Sequence, residues 1–166
     1  ILAHAPDILE QVLVLDDRHI GNRRRRAAGA AAEGRDVAEI AHRVGRIVLE
    51  HLERELIRHA DRSTLIGSFS AASNVTGIIT DTVAVSTLLH EHRALSLWDY
   101  AAAAPYVPIE MGSSADGNLA YKDAIFISPH KLIGGPGTPG VLVARRELFT
   151  NRVPDVPGGG TVRYVS

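Results

Sequence analysis

A hydroxyl, an imidazole and an amine stand together in Ser128-Pro129-His130-Lys131, and the glycine-rich run Gly134-Gly135-Pro136-Gly137-Thr138-Pro139-Gly140 follows at once. Ahead of them, Asp123-Ala-Ile-Phe-Ile127 is a short apolar run bounded by turn signals, which predicts a buried strand. Lys131 therefore falls on a strand-exit turn. An amine held there is a candidate nucleophile, because partial desolvation eases loss of its proton and lets it form a Schiff base with a carbonyl. An isolated lysine after a strand is more often a plain surface residue, so the rest of the chain has to decide.

Two other polar points follow predicted strands. Asn74 lies in Ser70-Ala-Ala-Ser73-Asn74-Val-Thr-Gly77, after the β-rich stretch Thr64 to Phe69. Asp99 closes the apolar run Ala94 to Trp98, where a carboxylate is expected to be partly buried. Such a group is costly unless partnered. A pyridinium nitrogen is one suitable partner, since the carboxylate keeps the ring protonated and the protonated ring withdraws electrons from an attached carbanion. The competing reading is an aspartate that caps its own turn. In parallel sheets the strand exits open on one edge, so Asn74, Asp99 and Ser128 to Lys131 are expected to converge there.

The elements that must position these residues read as follows. Val12 to Leu15 predicts a strand with Asp16 to Asn22 as its exit loop, and Asp36 to Ala41 a second strand. Gly45 to Val48 predicts a turn, and Leu49 to Ala60 a helix with Leu49, Leu52, Leu56 and Ile57 at helical spacing. Asp81 caps a further helix whose stripe is Val85, Leu88 and Leu89. Glu110 to Ala120 predicts an exposed loop, and Val141 to Ala144 a last strand. Strand, helix, strand, helix, strand is the order of an α/β fold with a wound, mostly parallel sheet and flanking helices.

Composition narrows the class. The 166 residues suffice for one packed domain, and 18 Lys+Arg against 19 Asp+Glu give no electrostatic case for nucleic acid or an anionic membrane. The run Arg23 to Arg26 accordingly reads as a solvated helix face. There is no cysteine, which excludes disulfides and fits a cytoplasmic protein, and no apolar run reaches membrane-spanning length. His4, His42, His51, His59, His90 and His92 form no metal-ligand pattern and read as surface residues. The start at Ile1 and the stop after Gly158-Gly159-Gly160 are expected to be cuts through a larger protein.

The ordered set Ser73-Asn74-Val-Thr-Gly77, Trp98-Asp99 and Ser128-Pro-His130-Lys131 with its glycine tail resembles the class V aminotransferases, the pyridoxal-phosphate enzymes that include cysteine desulfurases and selenocysteine lyases. The resemblance runs from about Leu49 to Val143. It implies the fold type I large domain, here in part, with residues 1–166 lacking an N-terminal phosphate-loop segment and a C-terminal small domain. It implies pyridoxal 5'-phosphate as cofactor, an amino acid or amine as substrate, and a homodimer. By the same resemblance Lys131 carries the Schiff base and shuttles protons, His130 and Ser128 bind the phosphate, and Asp99 pairs with the ring nitrogen. Asn74 lies near the phenolic oxygen or the substrate carboxylate, and His19 stacks on the ring. One departure stands out: desulfurases commonly carry glutamine three residues after the aspartate, and here that place is Ala102. A persulfide cysteine would lie beyond Ser166, so the absence of cysteine does not argue against a desulfurase.

Two other readings compete. A nucleotide-binding glycine loop would need Gly-Lys-Ser/Thr at its end, but Gly140 is followed by Val141-Leu142. A non-catalytic fragment that keeps the fold is the stronger alternative, because fold alone does not confer function.

Overall fold

The structure, a computed structural model, describes residues 46–152 in full, together with the backbone of the strands at 11–15, 35–39 and 42–43. The elements are β1 (Gln11–Leu15), β2 (Arg35–Glu39), β3 (His42–Arg43), β4 (Arg46–Ile47), α1 (Leu49–Arg58), β5 (Thr64–Ser70), α2 (Thr82–Glu91), β6 (Ala94–Asp99), β7 (Ala124–Ile127) and β8 (Val141–Ala144). Six strands form one sheet in the order β2-β1-β5-β6-β7-β8. β5, β6 and β7 are parallel neighbours, and β2 runs the same way, while β1 and β8 oppose them. The α/β sheet with flanking helices is thus as the element order predicts, with its common direction carried by the central strands. Arg46 and Ile47, expected within a turn, instead pair antiparallel with His42–Arg43.

The reversal at β8 has a simple cause. Two parallel neighbours need a crossover of a dozen or more residues, usually a helix. Between Ile127 and Val141 the chain makes only successive tight turns, so it returns beside β7 in the opposite sense. β8 ends the sheet, and its Val141, Leu142 and Val143 remain exposed.

Both helices bury onto the same core. On α1 only Leu52 and Leu56 are buried; Leu49 and Ile57 are exposed, so the apolar stripe is narrower than its spacing suggests. On α2 the Asp81 carboxylate accepts from the Ala84 N–H at 3.0 Å, as a cap should, and Val85 and Leu89 point inward. A Cβ on Gly67 would come within 2.5 Å of a Leu89 methyl, so α2 lies this close to β5 only because position 67 has no side chain. At the centre Trp98 is fully buried. Its Nε1–H donates to Ser86 and Ser96, whose hydroxyls lie 2.7 Å from each other, so all the buried polar atoms of this trio have partners.

Among the described histidines, His90 departs furthest from the surface position expected. His90, near the end of α2, is almost fully buried. Its Nδ1 lies 2.7 Å from the Leu119 carbonyl oxygen and its Nε2 2.8 Å from the Asp123 carboxylate, while Tyr121 stacks on the ring at 3.8 Å. A carbonyl and an ionised carboxylate can only accept, so both ring nitrogens must donate, and the imidazolium is the form that does so. Burial pulls the His90 pKa down, but the Asp123 hydrogen bond, the Leu119 carbonyl and the Asp123 charge outweigh it and raise the pKa above 6.5. A raised folded-state value means stability that is complete below the unfolded pKa and is lost as pH climbs through the folded one. The melting temperature should therefore fall as pH rises from mildly acidic through neutral, and His90→Gln should flatten that slope. A parent and variant with the same pH dependence of thermal unfolding would remove this role.

Candidate active site

The three predicted points come to the carboxyl edge of β5, β6 and β7. Ser70 is in register with Asp99, and Asp99 with Phe126, so the three strands end side by side. Beyond β5, the Ser73 hydroxyl accepts from the N–H groups of Val75 and Thr76 at 3.2 and 3.1 Å, closing the loop that presents Asn74. Beyond β7, Pro129–Lys131 forms one 3-10 turn, in which the Lys131 N–H donates to the Ser128 carbonyl at 3.0 Å. Pro129 suits the first position of that turn, where no N–H is needed.

Asn74 and Lys131 line one open cavity of about 560 Å³, whose lining also includes Ile79, Ala102 and Tyr106. The chain has two lysines, Lys122 and Lys131. They are held in opposite ways. Lys122 is buried and its amine donates to the Glu110 carbonyl at 2.9 Å, with burial lowering its pKa against the opposing charge of Glu110. Lys131 is exposed to the cavity. A second surface depression of about 630 Å³, at Arg46, Glu50 and Arg54, holds none of the motif residues.

Asp99 corrects an expectation. It is exposed rather than partly buried, and it is absent from the cavity wall. The alternation of β6 explains this: Ala94, Ser96 and Trp98 face the helices, so Leu95, Leu97 and Asp99 face the other side of the sheet. Its Oδ1 accepts from the Ala101 N–H at 2.7 Å, the turn-capping bond of the competing reading, and Oδ2 has no hydrogen bond among the described residues. Ser128 is half-buried with no capping bond from its hydroxyl, and His130 is exposed beside it. His19 lies outside the described residues. Tyr106 was not singled out from sequence; its signal was the pair Pro105 and Pro108, which break regular structure and leave the ring 84% exposed at the cavity.

Residues 10–166 match the sequence model of the family described as Aminotransferase class-V. The chain belongs to that family. Over 114 residues, 69% of this chain and 25% of the relative, it is 31% identical to a probable cysteine desulfurase of Aeropyrum pernix. Over 106 residues, 64% of this chain and 24% of the relative, it is 33% identical to a cysteine desulfurase of Klebsiella pneumoniae. It is similar to the solved structure of a NifS-like protein from Rickettsia africae, with TM-score 0.59 and 26% identity, covering 73% of this chain and 31% of that one. An apo cysteine desulfurase from Thermococcus onnurineus shares the fold, with TM-score 0.55 and 24% identity over 78% of this chain and 30% of that one. The chain spans about a quarter of the length of the curated relatives it matches. Among the described residues of this class V chain, no helix is long and apolar enough to cross a membrane, and no cluster of side chains suits a metal ion.

Proposed function

We propose that the full-length protein is a pyridoxal-phosphate-dependent transferase or lyase acting on a small amino acid or amine, with Lys131 as its covalent attachment point. The observation that carries this reading is the meeting of Lys131 and Asn74 at one cavity on the carboxyl edge of the parallel strands, while Lys122 is buried and its amine occupied. The residues suit the cofactor chemically. Lys131 offers an accessible amine, Asp99 an oxygen without a hydrogen-bond partner among the described residues, and Ser128 a hydroxyl not spent on capping.

Lys131 would bind the cofactor aldehyde and afterwards carry the substrate proton. Ser128 and His130, adjacent at the turn, would bind the phosphate. Asp99 would hold a proton on the ring nitrogen, and Asn74 would orient the phenolic oxygen or the substrate carboxylate. His19 is assigned to stacking on the ring. When bound, pyridoxal phosphate supplies an electron sink for the carbanion formed on the amino substrate. The relatives named cysteine desulfurases support an amino-acid substrate, and Ala102, in place of an amide, sets this chain apart from the common desulfurase pattern. The reading includes a cytoplasmic homodimer, for which the exposed apolar residues of β8 offer surface to cover.

The test is direct. Full-length protein incubated with pyridoxal phosphate should gain visible absorbance, and borohydride should then fix the label on the peptide containing Lys131. Label on Lys122, or on neither lysine, would overturn the assignment.

A further inference from the structure

Gly135 is buried in an otherwise exposed loop. The glycines around it have a different reason to be there. Gly134 and Gly137 have φ of +81° and +82° with open space where a side chain would go, so they are needed for conformation alone. At Gly135 the constraint is space. A Cβ there would stand 1.9 Å from the Pro129 carbonyl oxygen, 2.8 Å from the Pro129 carbonyl carbon and 3.0 Å from the Leu132 oxygen. Ordinary carbon contacts are about 3.5–4.0 Å, and all three atoms belong to the backbone, so no rotamer change can relieve the overlap.

The atoms it would displace carry Lys131. The segment is a series of turns: Lys131 N–H to the Ser128 carbonyl, Leu132 N–H to the Pro129 carbonyl, Gly135 N–H to the Leu132 carbonyl. The Pro129 carbonyl is thus both a hydrogen-bond acceptor within the lysine turn and the surface against which Gly135 rests. Thr138 ties the other side, donating its hydroxyl to the Gly135 carbonyl at 2.7 Å and its N–H to the same oxygen at 3.1 Å. We propose that Gly135 is a positioning residue for Lys131: its bare Cα lets the glycine loop fold back on the Pro129 carbonyl and so fixes where the lysine amine enters the cavity. This rests on Lys131 being the reacting amine.

A displacement of about 1 Å in a reacting group can cost up to a hundredfold in rate. Gly135→Ala should therefore slow the condensation of Lys131 with an aldehyde without unfolding the protein. The experiment uses cofactor-free full-length protein, 4-pyridinecarboxaldehyde as probe, cyanoborohydride trapping and peptide mapping, with melting temperatures alongside. In Gly135→Ala the labelling rate of Lys131 should fall by about tenfold or more. In Gly117→Ala, where φ is +76° and the space is open, it should not change. If Gly135→Ala melts like the parent and labels Lys131 at the parent rate, the proposal fails. If it does not fold, Thr138→Val decides, since it removes the shorter of the two Thr138 hydrogen bonds to the Gly135 carbonyl. A slower Lys131 rate there supports the proposal and an unchanged one overturns it. Parent protein that never labels Lys131 would instead overturn the assignment of the lysine itself.

Discussion

Lys131→Ala in the full-length protein should lower turnover by at least about a thousandfold, ~4 kcal/mol of barrier, and leave the fold intact. The side chain is exposed, so removing it opens no cavity in the core. What goes is an amine that would serve both covalent attachment and proton transfer, and no described neighbour can replace it. The chain's other lysine, Lys122, is held 5% exposed with its amine on the Glu110 carbonyl. Lys122→Met keeps the buried stem and removes the charge, so its effect should appear in the melting temperature and not in turnover. Turnover and thermal unfolding measured on both variants give opposite patterns if Lys131 is the reacting group. A Lys131→Ala protein keeping more than a tenth of parent turnover would end that assignment.

Strands β5 to β8 are legible because each is a short, mainly apolar or β-rich run with turn residues at its ends, and the cap at Asp81 because its position before an apolar stripe is a local signal; the two-residue strands His42–Arg43 and Arg46–Ile47 carry no such run. The placing of Asn74 and Lys131 followed from strand-exit logic, which needs only the order of elements. What escaped depends on partners remote in sequence. His90 looks like any helix-end histidine until Asp123, 33 residues on, and the Leu119 carbonyl, 29 residues on, close around it. Asp99 follows a run broken only by Ser96, and only the pleat reveals that it shares a face with Leu95 and Leu97 instead of Trp98. Gly135 is one glycine of four between 134 and 140, and its contact with Pro129 is created by the turns and is invisible in the string.

Asp99→Asn should keep the cofactor bound yet lose about a hundredfold in turnover, ~2.7 kcal/mol, the scale of one well-placed electrostatic group. The substitution isolates charge from shape. An asparagine Oδ1 can still accept from the Ala101 N–H at 2.7 Å, so the turn after β6 survives, whereas the neutral amide no longer holds a proton on a ring nitrogen. Asp99→Ala removes both the charge and the turn bond. If the carboxylate acts only as a turn cap, asparagine should behave like the parent and alanine alone should suffer, chiefly in stability. If it acts through its charge, the two variants should lose similar turnover while only alanine lowers the melting temperature. The comparison requires kcat, cofactor occupancy from visible absorbance, and a melt for each protein. An asparagine variant within about tenfold of parent turnover, ~1.4 kcal/mol, would leave Asp99 as a residue of the fold and remove it from the chemistry.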